Sequence, residues 1–476
     1  MQFTRREFLQ IAGVTAGAGL LAACAPKATA PAQPAQQPAA AEPAAEKPAA
    51  AKEAVKLRFM WRLNNDENAF VDAAIAQFAT VRPDITVEPL YIDSKQFDVM
   101  YAAGDAPDAL GTGPNSHVEQ YLRKQILPLQ DYAEKTEGLL DDIYPVARKA
   151  FTWEGKLYCL VQVLYYGGTF CNKSLFEEAG ITPPPVDWNA AGWNWDDMLE
   201  AARKLTKDTK GDGKTDQYGL NLGHWSPQSY TRYWGQDLIT KEDYESAIMR
   251  KWRLDEPAVR EACINGLQAR ADAMNVEKVM PTPDAATSLS EMGPMLKTGA
   301  VAMDIGGGWI VRGALPEGVK FVAGVGPKGN DGAGTRHSMV WVDPFKITST
   351  TKNPDQCWDW IYWLAADPKG GVPIQTKMLG LTPGIKSGLD DFLKTIQGRL
   401  DMSEADLRTF VMTGIETAVS DTLGHILVGW EALRPILQAE LDPVWKGTRT
   451  AKEAVDIFEP LVADQIRKNL EAFNIS

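Results

Sequence analysis

The chain has 476 residues, with 49 Lys and Arg against 62 Asp and Glu, for a formal net charge of −13. This acidic balance argues against nucleic acid as a partner, since phosphate binding needs a face rich in Lys and Arg, and it disfavours adsorption to anionic lipid headgroups. Apolar residues make up 45%, enough to bury a large core in two or three domain-sized units or in one fold with two lobes.

Thr4-Arg5-Arg6-Glu7-Phe8-Leu9 carries the arginine pair of a twin-arginine export signal, and an uncharged run of 13 residues follows from Ile11 to Ala23. A membrane-spanning helix needs about 20 apolar residues, so the run reads as the apolar region of a cleavable signal peptide, residues 1–23. Leu21-Ala22-Ala23-Cys24 resembles a bacterial lipobox, which implies lipidation of Cys24 and anchoring to the outer face of the cytoplasmic membrane. Of the 30 residues 25–54, 20 are Ala or Pro. Such a segment has little to bury and is expected to act as a linker, 24–54 with the lipidated Cys, reaching at most ~90 Å.

The globular part opens at Val55. Val55, Leu57, Phe59 and Trp61 alternate with Lys56, Arg58 and Arg62, which predicts a strand. Phe70, Val71, Ala74, Ile75 and Phe78 recur at helical spacing, and Ile85, Val87 and Tyr91 alternate again. This β-α-β opening favours a parallel sheet. Further on, residues 196–207, 354–364 and 451–472 show helical periodicity. All 15 Trp lie between Trp61 and Trp445; indoles of this kind serve as core or as flat apolar platforms for the C–H faces of sugars.

Several segments, in order along the chain, resemble family 1 extracellular solute-binding proteins, the maltose-binding-protein-like group. They are Phe78 through Val87, Ala103-Gly-Asp-Ala-Pro107-Asp-Ala-Leu110, Gly155-Lys-Leu-Tyr158, Cys171-Asn-Lys-Ser-Leu-Phe-Glu-Glu-Ala-Gly-Ile181, Trp193-Asn-Trp195-Asp-Asp197, and Gly299-Ala-Val-Ala-Met303 followed by Gly308-Trp309. Cys171 and Val161 depart from the family's Tyr and Pro. The resemblance implies an α/β fold of the two-lobed, periplasmic-binding-protein-like kind (type II), with lobes joined by hinge strands and a ligand cleft between them. Crossovers are expected near residues 165–169, 341–345 and 367–371. The first lobe would then comprise 55–167 plus 342–370, and the second 168–341 plus 371–476. The implied function is capture of a sugar by cleft closure and its delivery to the membrane permease of an ATP-driven (ABC) importer. Other polar ligands (a glycerophosphodiester, a polyamine, an iron chelate) fit the same fold, and an exported glycoside-processing hydrolase is the reading from another class.

A sugar site needs aromatic platforms and polar groups that bond paired hydroxyls. Trp61 and Asn64 follow the first strand, and Asn115 follows the Ala-Pro-Asp segment. Tyr165 and Tyr166 fall at the first crossover, and Trp225 and Trp234 lie in a Trp-rich stretch. Trp341 falls at the second crossover, and Trp430 in the C-terminal helices. Trp309 is the leading platform, because the resemblance places a ligand-stacking aromatic there and Gly306-Gly-Gly308 would let backbone approach a ligand closely.

Catalysis leaves little trace. The four His, at 117, 224, 337 and 425, form no H-E-x-x-H, and no G-x-S-x-G occurs, so no enzyme and no cofactor are expected. Cys159, Cys171, Cys263 and Cys357 form no ligand spacing for zinc and read as buried free thiols, with a Cys159–Cys171 disulfide left open. Asp208 to Asp216 has the look of a calcium loop, but Lys210 takes a ligand position and Gly219 stands where the bidentate Glu belongs, so it reads as a structural turn and no metal is expected.

Overall fold

The alternation at the start of the chain produces β1 (Val55–Trp61), which pairs in parallel with β2 (Ile85–Tyr91) and β3 (Ala109–Gly111). Between β1 and β2 runs α1 (Asn65–Val81), which buries Phe70, Val71, Ala74 and Phe78. Met60, which breaks the alternation, is buried as well, because this part of the sheet is covered on both faces. The structure is a computed structural model and describes residues 54–62, 65–93, 95–111, 117–223, 226–328, 336, 338–417 and 427–475. The signal peptide, Cys24, the linker up to residue 53, Asn64, Asn115 and Trp225 lie outside the described residues.

A small hairpin, β4 (Thr152–Trp153) with β5 (Lys156–Leu157), leads into β6 (Leu160–Asn172), whose every residue is buried. The remaining strands are β7 (Tyr218–Leu222), β8 (Val301–Gly307), β9 (Phe321–Gly324) and β10 (Val340–Ile347). Along the sheet the order is β2-β1-β3-β10-β6-β8-β7, with β9 also on β6. The first half of β6, Leu160 to Tyr166, pairs antiparallel with β10, and the second half, Gly167 to Asn172, with β8 and β9. One strand therefore serves two groups of elements. This is the two-lobed α/β arrangement, and the expected crossovers at 165–169 and 341–345 fall within β6 and β10.

Further helices cover the sheet. α2 (Trp195–Leu205) opens with a capping box in which Asn194 and Asp197 each satisfy the other's backbone N–H. α3 (Pro257–Asn275) packs against the C-terminal pair α7 (Trp430–Trp445) and α8 (Ala451–Ala472). α4 (Pro354–Ala365) places Trp360 edge-on against Phe59 (5.5 Å between ring centroids) and Phe78 (5.1 Å), in the core of the first lobe. α5 (Gly371–Leu379) lies against α1, and the chain after it bonds back to earlier segments: Leu164 N–H donates to Thr382 O (3.0 Å) and Tyr144 N–H to Gly384 O (3.3 Å). Beyond it, α6 (Leu389–Gln397) brings Phe392 to Tyr166 (6.1 Å).

Candidate functional site

Trp341 and Tyr165 are direct partners in the β10–β6 ladder, so both rings project from the same face of the sheet. Trp309 comes to them from the second lobe, on a single 3-10 turn, Gly308–Val311, at the end of β8. Its ring centroid lies 5.2 Å from Tyr165 and 4.7 Å from Trp341, both edge-to-face. Tyr165 and Trp341 are buried, while Trp309 is only partly so. The three form an aromatic corner at the junction of the lobes with one ring open to solvent.

The glycines before Trp309 act differently from the sequence expectation. A Cβ on Gly307 would stand 2.0 Å from the Trp309 ring. The glycine makes room for the indole to lie back along the strand, rather than for a ligand to approach the backbone.

Beneath this corner lies a chain of charges. Arg62, just past β1, pairs through Nη2 with Asp343 of β10 and through Nε with Glu67 of α1 (2.9 Å). The second oxygen of Glu67 pairs with Arg312, which directly follows the Trp309 turn. Asp343 Oδ2 also accepts from the Tyr165 hydroxyl (3.4 Å). Glu67 is only 1% exposed, and the two guanidinium groups offset the cost of taking a carboxylate out of water. Burial acts to lower the Arg62 guanidinium, but Asp343, Tyr165 and Glu67 outweigh it and hold it above its ordinary value. Burial and then Asp343 push the Tyr165 phenol up, so it remains a neutral donor.

On the next strands of the second lobe, Asn221 of β7 donates to Asp304 Oδ1 of β8 (3.0 Å). Burial raises the Asp304 carboxyl to about 7, against the pull of the Asn221 hydrogen bond. On another flank of the molecule the lobes also touch. Glu119 Oε2 accepts from Gly429 N–H (3.3 Å), the Arg123 guanidinium sits 5.4 Å over Phe473, and Lys149 pairs with Glu245 (3.4 Å).

Of the expected site residues, the structure brings Tyr165, Trp309 and Trp341 together. Trp61 is not at a site but in the core, 0% exposed between Phe59, Phe70 and Phe345. Its partner in β3 is Gly111, where a Cβ would stand 2.3 Å from the indole. Tyr166 points to the opposite face from Tyr165 and packs on Phe410 (5.5 Å). Trp234 is buried against Trp195 (5.2 Å), and Trp430 against Trp252 (6.3 Å). Arg62, Glu67, Arg312, Asp343, Asn221 and Asp304 were not singled out as site residues in the sequence; for Asp304 and Asp343 the available signal was a lone acid inside the apolar strands β8 and β10.

Asp208 takes hydrogen bonds from the N–H groups of Gly211 (2.7 Å), Asp212 (3.2 Å) and Gly213 (2.7 Å), and Asp216 from Thr209 (2.8 Å). These carboxylates close a turn on themselves, as the sequence suggested. Among the described residues no group of His, Cys, Asp or Glu is placed to hold a metal ion. Cys159, Cys171, Cys263 and Cys357 are free and buried.

Two lobes sharing crossing strands, with an aromatic corner where they meet, define a clamp-type binding protein. The chain belongs to the bacterial extracellular solute-binding protein family, whose model matches residues 64–370. Members of this family are exported binding proteins rather than enzymes. Over 131 residues it is 26% identical to the diacetylchitobiose-binding protein NgcE of Streptomyces coelicolor, a match spanning 26% of each chain. Among solved structures it resembles an ABC substrate-binding protein of Listeria monocytogenes in complex with cycloalternan (TM-score 0.69, 17% identity, 89% of this chain and 100% of that one). It also resembles the maltose/maltodextrin-binding domain MalE of Bdellovibrio bacteriovorus bound to maltotriose (TM-score 0.66, 16% identity, 88% and 100%). The GacH receptor of Streptomyces glaucescens, solved unliganded and with acarbose, is similar too (TM-score 0.65, 20% identity, 88% and 99%).

Proposed function

We propose that the chain captures a sugar between its lobes and delivers it to the permease of an ABC importer. The observation that carries this reading is the aromatic corner of Trp309, Trp341 and Tyr165, whose one open ring lies where the lobes meet. An apolar ring face suits the C–H face of a pyranose, and the neighbouring Asp343 and Arg62 offer charged and polar partners for hydroxyls. Sugars bound by the similar proteins support the same class of ligand.

The reading extends to the rest of the chain. Lipidation at Cys24 would tether the receptor near its permease through the Ala/Pro-rich linker. The first lobe would run over 55–167 and 342–388, with the third passage near Gly388 rather than at 367–371, because α5 and residues 382–384 contact the first lobe. A ligand that touches both lobes favours the closed form and shifts the population toward it.

The test is a thermal-shift panel of diacetylchitobiose, maltotriose, mannobiose and cycloalternan against a glycerophosphodiester, a polyamine and a ferric chelate. Stabilisation by at least one sugar, with a smaller radius of gyration in solution scattering at saturation, is expected. Stabilisation by a non-sugar alone, or turnover of a chromogenic glycoside, would assign one of the other readings. Separately, Cys24→Ser is expected to abolish incorporation of labelled fatty acid; label on that variant would remove Cys24 as the anchor.

A further inference from the structure

The contacts around Trp309 close on themselves. The indole touches Tyr165; the Tyr165 hydroxyl bonds Asp343; Asp343 pairs with Arg62, Arg62 with Glu67, and Glu67 with Arg312. Arg312 N–H then returns to the carbonyl oxygen of Trp309 (3.1 Å). The links come from several elements, and Glu67 joins the two guanidinium groups. Arg62 and Asp343 belong to the first lobe and the crossing strand, while Arg312 ends the turn that carries the indole.

We propose that Glu67 is a positioning residue for the Trp309 platform. By holding Arg62 and Arg312 with its two oxygens, it fixes the turn Gly308–Val311 against the first lobe and so sets the angle at which the indole meets a ligand. The carboxylate is too deeply buried to touch the ligand, and it acts through Arg312. Two charged partners converging on a 1%-exposed carboxylate make a rigid joint, since loss of either leaves the buried carboxylate only half compensated. A neutral sugar would therefore bind with an affinity that depends on a carboxylate it never contacts. This inference rests on the sugar-binding reading for its affinity arm only.

The test uses the mature chain and the variants Glu67→Gln and Arg312→Ala, which break the joint from opposite sides. Two indoles at 4.7 Å give an exciton couplet in circular dichroism, isolated as the difference between wild type and Trp309→Phe. Both variants are expected to lose most of that couplet without ligand, while the thermal transition stays cooperative. Affinity for whichever of diacetylchitobiose, maltotriose, mannobiose or cycloalternan binds wild type is expected to fall about tenfold in each variant. In a Trp309→Ala background, Glu67→Gln should change affinity less than about twofold, the non-additivity of residues acting through one another. A couplet preserved in both variants, or a Glu67→Gln loss undiminished in the Trp309→Ala background, would overturn the proposal. If no panel sugar binds wild type, the functional reading falls and the couplet alone decides this one.

Discussion

Trp309→Ala is expected to weaken sugar binding by about 1–3 kcal/mol, up to ~150-fold, by analogy with aromatic stacking losses elsewhere. The indole is partly exposed and rests on Gly307, Tyr165 and Trp341, so its removal opens a space that water can enter. Its cost in stability should stay below the ~3–5 kcal/mol of an emptied core site. Trp61→Ala is the contrast. That indole is fully enclosed among Phe59, Phe70 and Phe345, and its loss should take the whole core cost while sparing affinity in the fraction that folds. Trp309→Phe should recover part of the binding, because a smaller ring still offers an apolar face. Calorimetry and urea melts on the same proteins separate the two effects. Full affinity in Trp309→Ala would assign that residue to packing alone.

Acid should destabilise the fold through His117. Its ring is wholly buried between Phe151 and Tyr158 (5.7 and 6.1 Å), and neither ring nitrogen has a partner among the described residues. Burial, and then the charge of Lys346, lower it from 6.5 to about 3. In the unfolded chain the imidazole takes a proton below its ordinary value; in the folded chain it does so only near the lowered one. The stability contribution is therefore complete above pH ~6.5 and lost as pH falls toward 3, amounting to about 3 kcal/mol between pH 8 and pH 4.5. Exposed carboxylates add their own acid dependence, but His117→Leu leaves those untouched. Between pH 8 and pH 4.5 the urea midpoint of wild type should therefore fall further than that of His117→Leu, the stability difference shifting by about 3 kcal/mol in the variant's favour. Parallel loss in both would show that His117 does not carry the effect.

The local parts of the fold were legible because their signals are local. β1, α1 and β2 follow from alternation and helical spacing within a few dozen residues, and α8 begins and ends at the residues its periodicity marked. Trp309 was legible as an aromatic after a family-like strand. What failed to show were pairings made across the fold. Glu67 meets Arg312 over 245 residues, and Arg62 meets Asp343 over 281; periodicity carries no information at that range. Trp61 was misread for the same reason. Its residue type suits a platform, and only Gly111, 50 positions away on a neighbouring strand, provides the recess that makes it core. Likewise the Gly306–Gly308 run gave the right neighbourhood with the wrong cause, since its space is filled by the protein's own indole.

The place of β10 in the sheet has a consequence for how the chain is made. β3 lies between β1 and β10, and Lys346 of β10 reaches Gln120 across 226 residues of sequence. At ~5–20 residues per second, a ribosome needs about 11–45 s to travel that distance. Throughout that interval β1, β2 and β3 have been synthesised, but one side of β3 has no strand beside it, and an uncovered strand edge invites pairing with other chains. The nascent first lobe therefore calls for a chaperone or a cellular concentration low enough to avoid self-association. Substitutions that slow the arrival of β10 should lower yield even where the finished protein is no less stable.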